Sequence, residues 1–537
     1  MTIQRISIAL LLSSMVGWGQ VKIAKELRRL DSDASVNVLI RFKRPLDESQ
    51  AERIRKCGGA ETARYRASRI VAATIEAGRL AEVATENEVE YIAPDRTVKA
   101  SLDTTRQSVR AGAGFSSGLT GAGIGVAVID SGFASNPDIP ASRVVYTEAF
   151  GQAGGTDAYG HGTPVIGVIG GNGQSSGGRY RGIAPEARIV NLRVLGPSGE
   201  GSDSAVIAAI ERAIELKARY NIRVINLSLG RPVMESYKYD PLGFAVEAAW
   251  RAGIVVVVAA GNEGRNNARG TQGYGTVMSP ANHPLVITVG ALKSLGTSLR
   301  DDDIIASYSS KGPTVVDHVV KPDLIAPGNH IVAPQGPGKQ ALKQAYPQNA
   351  VAGAYFRLSG TSMASAVVSG AVALMLQQQP GLNPDQVKAR LMKTAWKSFP
   401  PEVTAVDPMT GAEYWSRHDI FTVGAGALDL NSALGSADIP QGTAASPIAV
   451  YDSSRDLVRI QYPYNAAWGG TPVWGSAVLG GASVIWGNNI VAGSNAVWGS
   501  NVVWGVSSLK GFAVLWGSSS FWGTNPTGSA VLGFGER

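Results

Sequence analysis

The sequence contains one cysteine, Cys57, in 537 residues. No intramolecular disulfide and no thiolate-held metal cluster can form, and a half-buried, inert thiol is the expected state of Cys57. Charge is sparse, at 17%. The formal net charge of +7 is concentrated early: the first 110 residues hold 19 Lys+Arg against 14 Asp+Glu, which leaves 30 against 28 for the rest. No basic stripe remains for nucleic acid, so that class of partner is set aside. Long apolar runs are also missing, and no stretch reaches the ~18 residues that a membrane span requires. The nearest is Ile6–Val16, preceded by Arg5 and followed by the small residues Gly17 and Gly19. That layout reads as a secretory signal over residues 1–19, with a buried N-terminal strand or helix as the alternative.

Hydrophobic residues make up 44% of the chain, enough for a large core and more than one domain. Residues 20–100 are charged and compact. Strand-like runs at Val36–Phe42, Arg69–Glu76 and Val89–Ala93 alternate with helical stretches at Asp47–Cys57 and Gly78–Asn87, an order that suits a small α/β sandwich. From about 110 to 435 the strands are unbroken apolar runs: "GIGVAVID", "RIVNLRVL", "RVINLSLG", "IVVVVAAG" and "LVITVGAL". Such runs imply burial on both faces and a parallel sheet. Helices lie between them. "SDSAVIAAIERAIELKARY" begins at a Ser/Asp cap, and "DPLGFAVEAAWRAG" has Asp240 as cap, Pro241 in its first turn and Gly253 as its stop. The predicted class is α/β: a doubly wound, mainly parallel sheet with ligands at the carboxyl ends of its strands.

After residue 440 the composition changes to a linker and then a repeat. From Trp468 to Gly535 a six-residue period runs for twelve copies, with Trp at seven of the leading positions and Gly after all but one. Short strands and tight turns, stacked as a β-rich repeat domain, follow from that pattern. A Trp-lined face for a cell surface or polysaccharide is the other reading of the same period.

The chemistry is carried by three short stretches. Asp130 closes the apolar strand "GIGVAVID". His161 sits between two glycines in "DAYGHGTPVIGVIGG", and glycines there let other backbone come close. Ser362 lies in "LSGTSMASAVVSG", where nearly every side chain is small, just ahead of the apolar helix "AVALMLQQQ". A serine hydroxyl becomes nucleophilic when an imidazole takes its proton and a carboxylate orients that imidazole. The free N–H groups at a helix start can stabilise the oxyanion that forms.

In the order Asp–His–Ser, "VAVIDSG", "GHGTPVIG" and "GTSMAS" resemble the subtilase family of subtilisin-like serine proteases, over residues 110 to about 435. "RGIAPEARIVNLRVL", "VINLSLG", "VVVVAAGNEG", "KPDLIAPG" and "GAGALDLNSAL" extend the resemblance. It implies Asp130 as orienter, His161 as general base and Ser362 as nucleophile. It implies an oxyanion hole made by Asn262 and the Ser362 amide. It also implies a substrate-pairing strand edge at Ser228, Leu229 and Gly230, and a pocket wall at Ala259, Ala260 and Gly261 that leaves room for a sizeable apolar side chain. Residues 20–100, ending "VEYIAPDRTVKA", resemble the family's inhibitory prodomain, which implies a self-processing zymogen cleaved near Ala100–Asp103. The implied partners are polypeptide substrates and the chain's own prodomain.

Some positions depart from the family pattern. Pro164 and Ile166 stand where it usually has His and Ala, and Ala366-Val367 where it has Pro-His. These side chains do no chemistry, so altered helix packing is expected rather than loss of catalysis. "GNGQSSGGRYRG" (Gly171–Gly182) holds no carboxylate, so no calcium is expected there, and no other metal or cofactor is implied. Two rival readings keep the fold: a catalytically silent surface-binding protein that uses its Trp-rich tail, and an esterase on the same three residues.

Overall fold

The computed structural model describes residues 22–23, 27–65, 70–94, 109–110, 118–150, 156–268, 271–297, 299–407, 411–452, 457–463, 465–467, 483–485 and 490–492. The signal-like stretch, the expected cleavage region and most of the Trp–Gly repeat lie outside these residues. The chain divides into two units, residues 1–98 and 99–537.

The first unit is a four-stranded antiparallel sheet: β1 (Ser35–Phe42), β2 (Ala60–Tyr65), β3 (Ile70–Glu76) and β4 (Val89–Pro94), in the order β2-β3-β1-β4. A helix over Glu48–Lys56 is closed at its start by a capping box between Asp47 and Gln50. A second helix, Leu80–Thr85, is shorter than the apolar pattern predicts. β2 has no apolar run in the sequence. "AETARY" has few apolar residues because β2 is an edge strand, paired on one side only. Val38, Ile40, Phe42, Ile54, Val71 and Ile92 form the core of this unit.

The second unit is built on a twisted sheet whose strands are β5 (Gly125–Asp130), β6 (Val144–Ala149), β7 (Arg188–Arg193), β8 (Ile222–Leu227), β9 (Val255–Ala259), β10 (Ile287–Lys293), β11 (Ile304–Ile305) and β12 (Leu324–Pro327). Its order is β11-β10-β9-β8-β5-β7-β6, with β12 also beside β10. All pairs are parallel except β10 with β11. The five strands read as apolar runs are present. Three strands have no such run: β6, half exposed at the sheet edge, and the short β11 and β12. Helix Asp203–Glu215 starts at the Ser202 cap and ends sooner than expected, and a separate turn of helix follows at Lys217–Tyr220. Helix Pro241–Arg251 has Asp240 as its cap and Pro241 in its first turn.

Helix Thr361–Gln378 is buried from Thr361 through Leu376 and packs across β8, β9 and β10. Helix Gly162–Gly170 packs against it. The small residues of both helices allow this depth: a Cβ at Gly370 would lie 2.6 Å from Ile183 Cβ. Ile166, Ala366 and Val367 on these helices are all buried.

Residues just after 440 are not a free linker. Ala444, Ala449, Ile460 and Ala467 share a core cluster with Ile325, Phe421 and Val423. Val320 N–H donates to Pro447 O at 2.8 Å and Ala449 N–H to His318 O at 2.9 Å. Packing of this unit continues past residue 440. Within the repeat, Ser483–Ile485 pairs with Ile490–Ala492, which pairs with Leu457–Gln461, all antiparallel.

Candidate active site

β5, β8 and β9 are neighbours and parallel, so the residues that leave their carboxyl ends meet. Asp130 ends β5, Ser228 follows β8, and Asn262 lies three residues beyond β9. The two helices described above start over this same edge, bringing His161 and Ser362 to it. Asp130, His161, Ser228, Asn262 and Ser362 are all at least 96% buried.

His161 Nδ1 lies 2.7 Å from Asp130 Oδ1, which also accepts the Ser131 N–H at 2.7 Å. Close approach makes this possible: a Cβ on Gly162 would fall 2.2 Å from Gly132 O, so only glycine fits after the histidine. Burial by itself pulls the His161 pKa down. The charge and hydrogen bond of Asp130, with Asp157 behind them, outweigh it and hold the imidazole above its ordinary value.

Ser362 occupies the second position of its helix, where the N–H has no intrahelical acceptor. Its hydroxyl donates to Ser228 O at 3.2 Å, and no hydrogen bond joins it to His161. Catalytic contacts of this kind commonly form only when substrate is bound. Behind the serine, Ser228 Oγ bonds Ser362 O and Ser365 Oγ, both at 3.0 Å, and accepts from Asn226 Nδ2 at 2.9 Å. Ser369 Oγ donates to Asn226 Oδ1 at 2.9 Å. This network ties the helix start to β8.

Asn262 is held from one side. Its Oδ1 accepts the Thr361 N–H at 2.9 Å and the Thr361 hydroxyl at 3.0 Å. Its Nδ2 is buried with no hydrogen-bond partner. Such an orphan costs about 1–3 kcal/mol unless something else satisfies it. Together with the Ser362 N–H, it offers two donors to a negatively charged oxygen.

Arg231 exchanges both backbone hydrogen bonds with Ser279 at 2.9 Å. The backbone groups of Leu229 and Gly230 have no partner among the described residues. Both residues continue the chain just beyond β8 and are buried. Gly261 has φ +110°, and a Cβ there would lie 2.7 Å from Ser310 Oγ and 3.0 Å from Met278 Cγ. A Cβ added at Gly230 would lie 3.2 Å from Cβ of the same Met278. Ala259 and Ala260 are buried at the end of β9. Of the residues singled out from the sequence, hydrogen bonds join Asp130 to His161, Ser228 to Ser362, and Asn262 to Thr361, the residue before Ser362, while Met278, which no motif marks, lies against Gly230 and Gly261. Met278 also lines a cavity of about 220 Å³ with Val233, Glu263, Thr276, Val277 and Val315. Burial raises the Glu263 pKa.

The Gly171–Gly182 loop is organised by a carboxylate from elsewhere. Asp138 accepts the Ser175 N–H at 2.7 Å and the Tyr355 hydroxyl. Among the described residues, no three His, Cys, Asp or Glu side chains converge as a metal site.

Comparison with known proteins gives a consistent answer. Residues 121–424 match the model of the subtilase family. The chain is 39% identical to serine protease AprX of Bacillus subtilis over 325 residues, which is 58% of this chain and 70% of that protein. It is 36% identical to subtilisin DY of Bacillus licheniformis over 281 residues, 52% of this chain and 85% of the relative. It is 33% identical to subtilisin E of Bacillus subtilis, covering 63% and 78%. A parallel α/β sheet with an acid–imidazole pair and a helix-borne serine at one strand edge, matched over this span, establishes that the chain belongs to the subtilase family of serine proteases.

Proposed function

We propose that the chain is an endopeptidase that cleaves polypeptides through an acyl-enzyme. Ser362 is the nucleophile, His161 the general base and Asp130 the group that fixes its tautomer. The Ser362 Oγ–C bond forms as His161 takes the hydroxyl proton. The peptide C–N bond then breaks as the imidazolium returns that proton to the leaving amine. Water, deprotonated by the same imidazole, releases the acyl group. Asn262 Nδ2 and the Ser362 N–H hold the oxyanion in both steps.

The observation that carries this reading is the buried, unpartnered Nδ2 of Asn262 at the start of the Ser362 helix. A peptide is preferred over a simple ester because Leu229 and Gly230 offer backbone hydrogen bonds that only an extended chain can use. The small buried residues Ala259, Ala260 and Gly261, with Met278 against Gly261, favour an apolar side chain before the scissile bond. Residues 20–100 act as an intramolecular inhibitor, and the enzyme is exported as a zymogen that processes itself.

The test is labelling with a serine-directed phosphonate together with hydrolysis of a peptide panel. Labelling and cleavage by wild type, with both lost in Ser362→Ala, support the proposal. Absence of labelling in wild type favours the catalytically silent reading, and cleavage of esters alone favours the esterase. Intact mass of the secreted protein and of Ser362→Ala tests self-processing, which predicts a shorter chain only for wild type.

A further inference from the structure

His161 is the last residue before its helix, and its own side chain caps nothing. The capping oxygens come from Asp157, four residues earlier and 99% buried. Asp157 Oδ1 accepts the Gly160 N–H and the Ser131 hydroxyl, both at 2.8 Å. Asp157 Oδ2 accepts the Thr163 N–H at 2.8 Å and the Thr163 hydroxyl at 2.6 Å.

Both hydroxyls are also acceptors. Ser131 Oγ takes the Gly162 N–H and Thr163 Oγ1 takes the Ala134 N–H, each at 2.9 Å. With backbone donors on one side, each hydroxyl must point its proton at the carboxylate. Only an ionised acid accepts all four donors, since an amide would turn an NH2 group toward one pair of them. The Asp157 carbonyl is itself fixed by Gln340 Nε2 at 2.8 Å.

These bonds join two segments that matter to each other. Ser131 follows Asp130 on the strand end, while Gly160, Gly162 and Thr163 surround His161. We propose that Asp157 is a positioning residue for the acid–imidazole pair. It clamps the backbone on both sides of His161 to the residue after Asp130, so that imidazole and carboxylate keep their spacing through each proton transfer. The proposal rests on the general-base role given to His161 above.

The charge of Asp157 also reaches His161. The other charged groups facing this region are Asp130 and Arg193, whose side chain lies against Gly132. Helix Thr361–Gln378 and the strand Ile331–Pro334, which pack on the His161 helix, carry no acidic or basic side chain. Removing the Asp157 charge while keeping its shape therefore lets the imidazole lose its proton at lower pH.

The experiment is kcat and KM against pH for wild type and Asp157→Asn, with thermal unfolding of each. The clamp predicts a fall in kcat of about tenfold to a hundredfold, KM within about twofold of wild type, and an acid limb moved to lower pH. An unchanged kcat per folded molecule with an unmoved acid limb overturns it, even if stability falls. If Asp157→Asn does not fold, Thr163→Val and Ser131→Ala decide, since each cuts one arm and keeps the charge. A lower kcat with the acid limb in place supports the clamp, and wild-type kcat in both overturns it. If wild type cleaves no peptide, the proposed function fails first, and the clamp is judged by proton NMR of the His161 Nδ1–H. A far-downfield signal lost in Asp157→Asn or Thr163→Val supports it, and the same signal kept in both overturns it.

Discussion

The Asp323 carboxylate and the two ammonium groups beside it all have partners, whereas near Ser362 two buried side-chain atoms have none. Lys321 Nζ donates to Asp323 Oδ2 at 2.7 Å and Val286 O at 2.9 Å. Lys388 Nζ reaches Pro284 O at 2.8 Å, Ser446 Oγ at 2.8 Å and Asp323 Oδ1 at 3.1 Å. Thr288 N–H and the Ser446 hydroxyl complete the carboxylate, at 2.8 and 2.5 Å. Burial alone would raise the Asp323 pKa, but the two ammonium groups overcome it and hold it below the usual value. At the other cluster, Asp130 Oδ2 and Asn262 Nδ2 are buried without partners. Both clusters lie in one unit and are equally dry. The first is complete without a ligand and so serves packing, fastening β12, the helix Pro384–Thr394 and the Ser446 segment together. The second is complete only with something added.

The sharpest break in this comparison is Ser362→Ala. It is expected to lower kcat/KM on a peptide anilide by about 10⁴-fold or more, with the unfolding midpoint close to wild type. Asp323→Ala does the reverse. It strands two buried ammonium groups and costs about 3–5 kcal/mol, read by urea denaturation, while activity per folded molecule persists.

Asn262→Ala comes next. Loss of one oxyanion donor is expected to cut kcat by about 10²–10³-fold, a magnitude known from the corresponding subtilisin amide, with KM little changed. Ser446→Ala removes one hydrogen-bonding hydroxyl from the satisfied cluster and is expected to cost about 1 kcal/mol, with no effect on kcat.

The smallest effect is on pH. The His161 pKa is raised, so the free base appears only at higher pH and activity climbs through an acid limb above ~6.5. The same shift acts oppositely on folding. A raised pKa contributes stability that is full below about 6.5 and is lost as pH rises through the folded-state value. Activity and this part of stability should therefore cross, which a pH series of rates and melting curves checks.

Much of the site was legible because its chemistry resides in short stretches. "VAVIDSG", "GHGTPVIG" and "GTSMAS" each place one reactive group beside the glycines or small residues that let backbones approach. Their apolar neighbours announced the buried strands and helices that carry them. Asp157 was harder to find. The signal was an acid four residues before a helix start that had no capping residue of its own. Met278 carries no local signal, since it is conspicuous only once Gly230 and Gly261, each just beyond a different strand, are seen to meet it. β2 and β6 were hidden because edge strands need little apolar surface. The Ser446 segment looks like a linker in sequence because its partners, Pro284 and Asp323, lie more than a hundred residues away.

The sequence by itself determined that a parallel α/β sheet forms and which residue types stand at its strand ends, because burial periodicity and chain-local steric demands are written in consecutive residues. Only the tertiary structure decided the strand order that makes β5, β8 and β9 neighbours, and the Ser362 hydroxyl's resting bond to Ser228 O. It alone decided which buried polar atoms end without a partner. These depend on contacts between residues far apart in the chain, whose energies come from packing and hydrogen-bond satisfaction that no local stretch encodes.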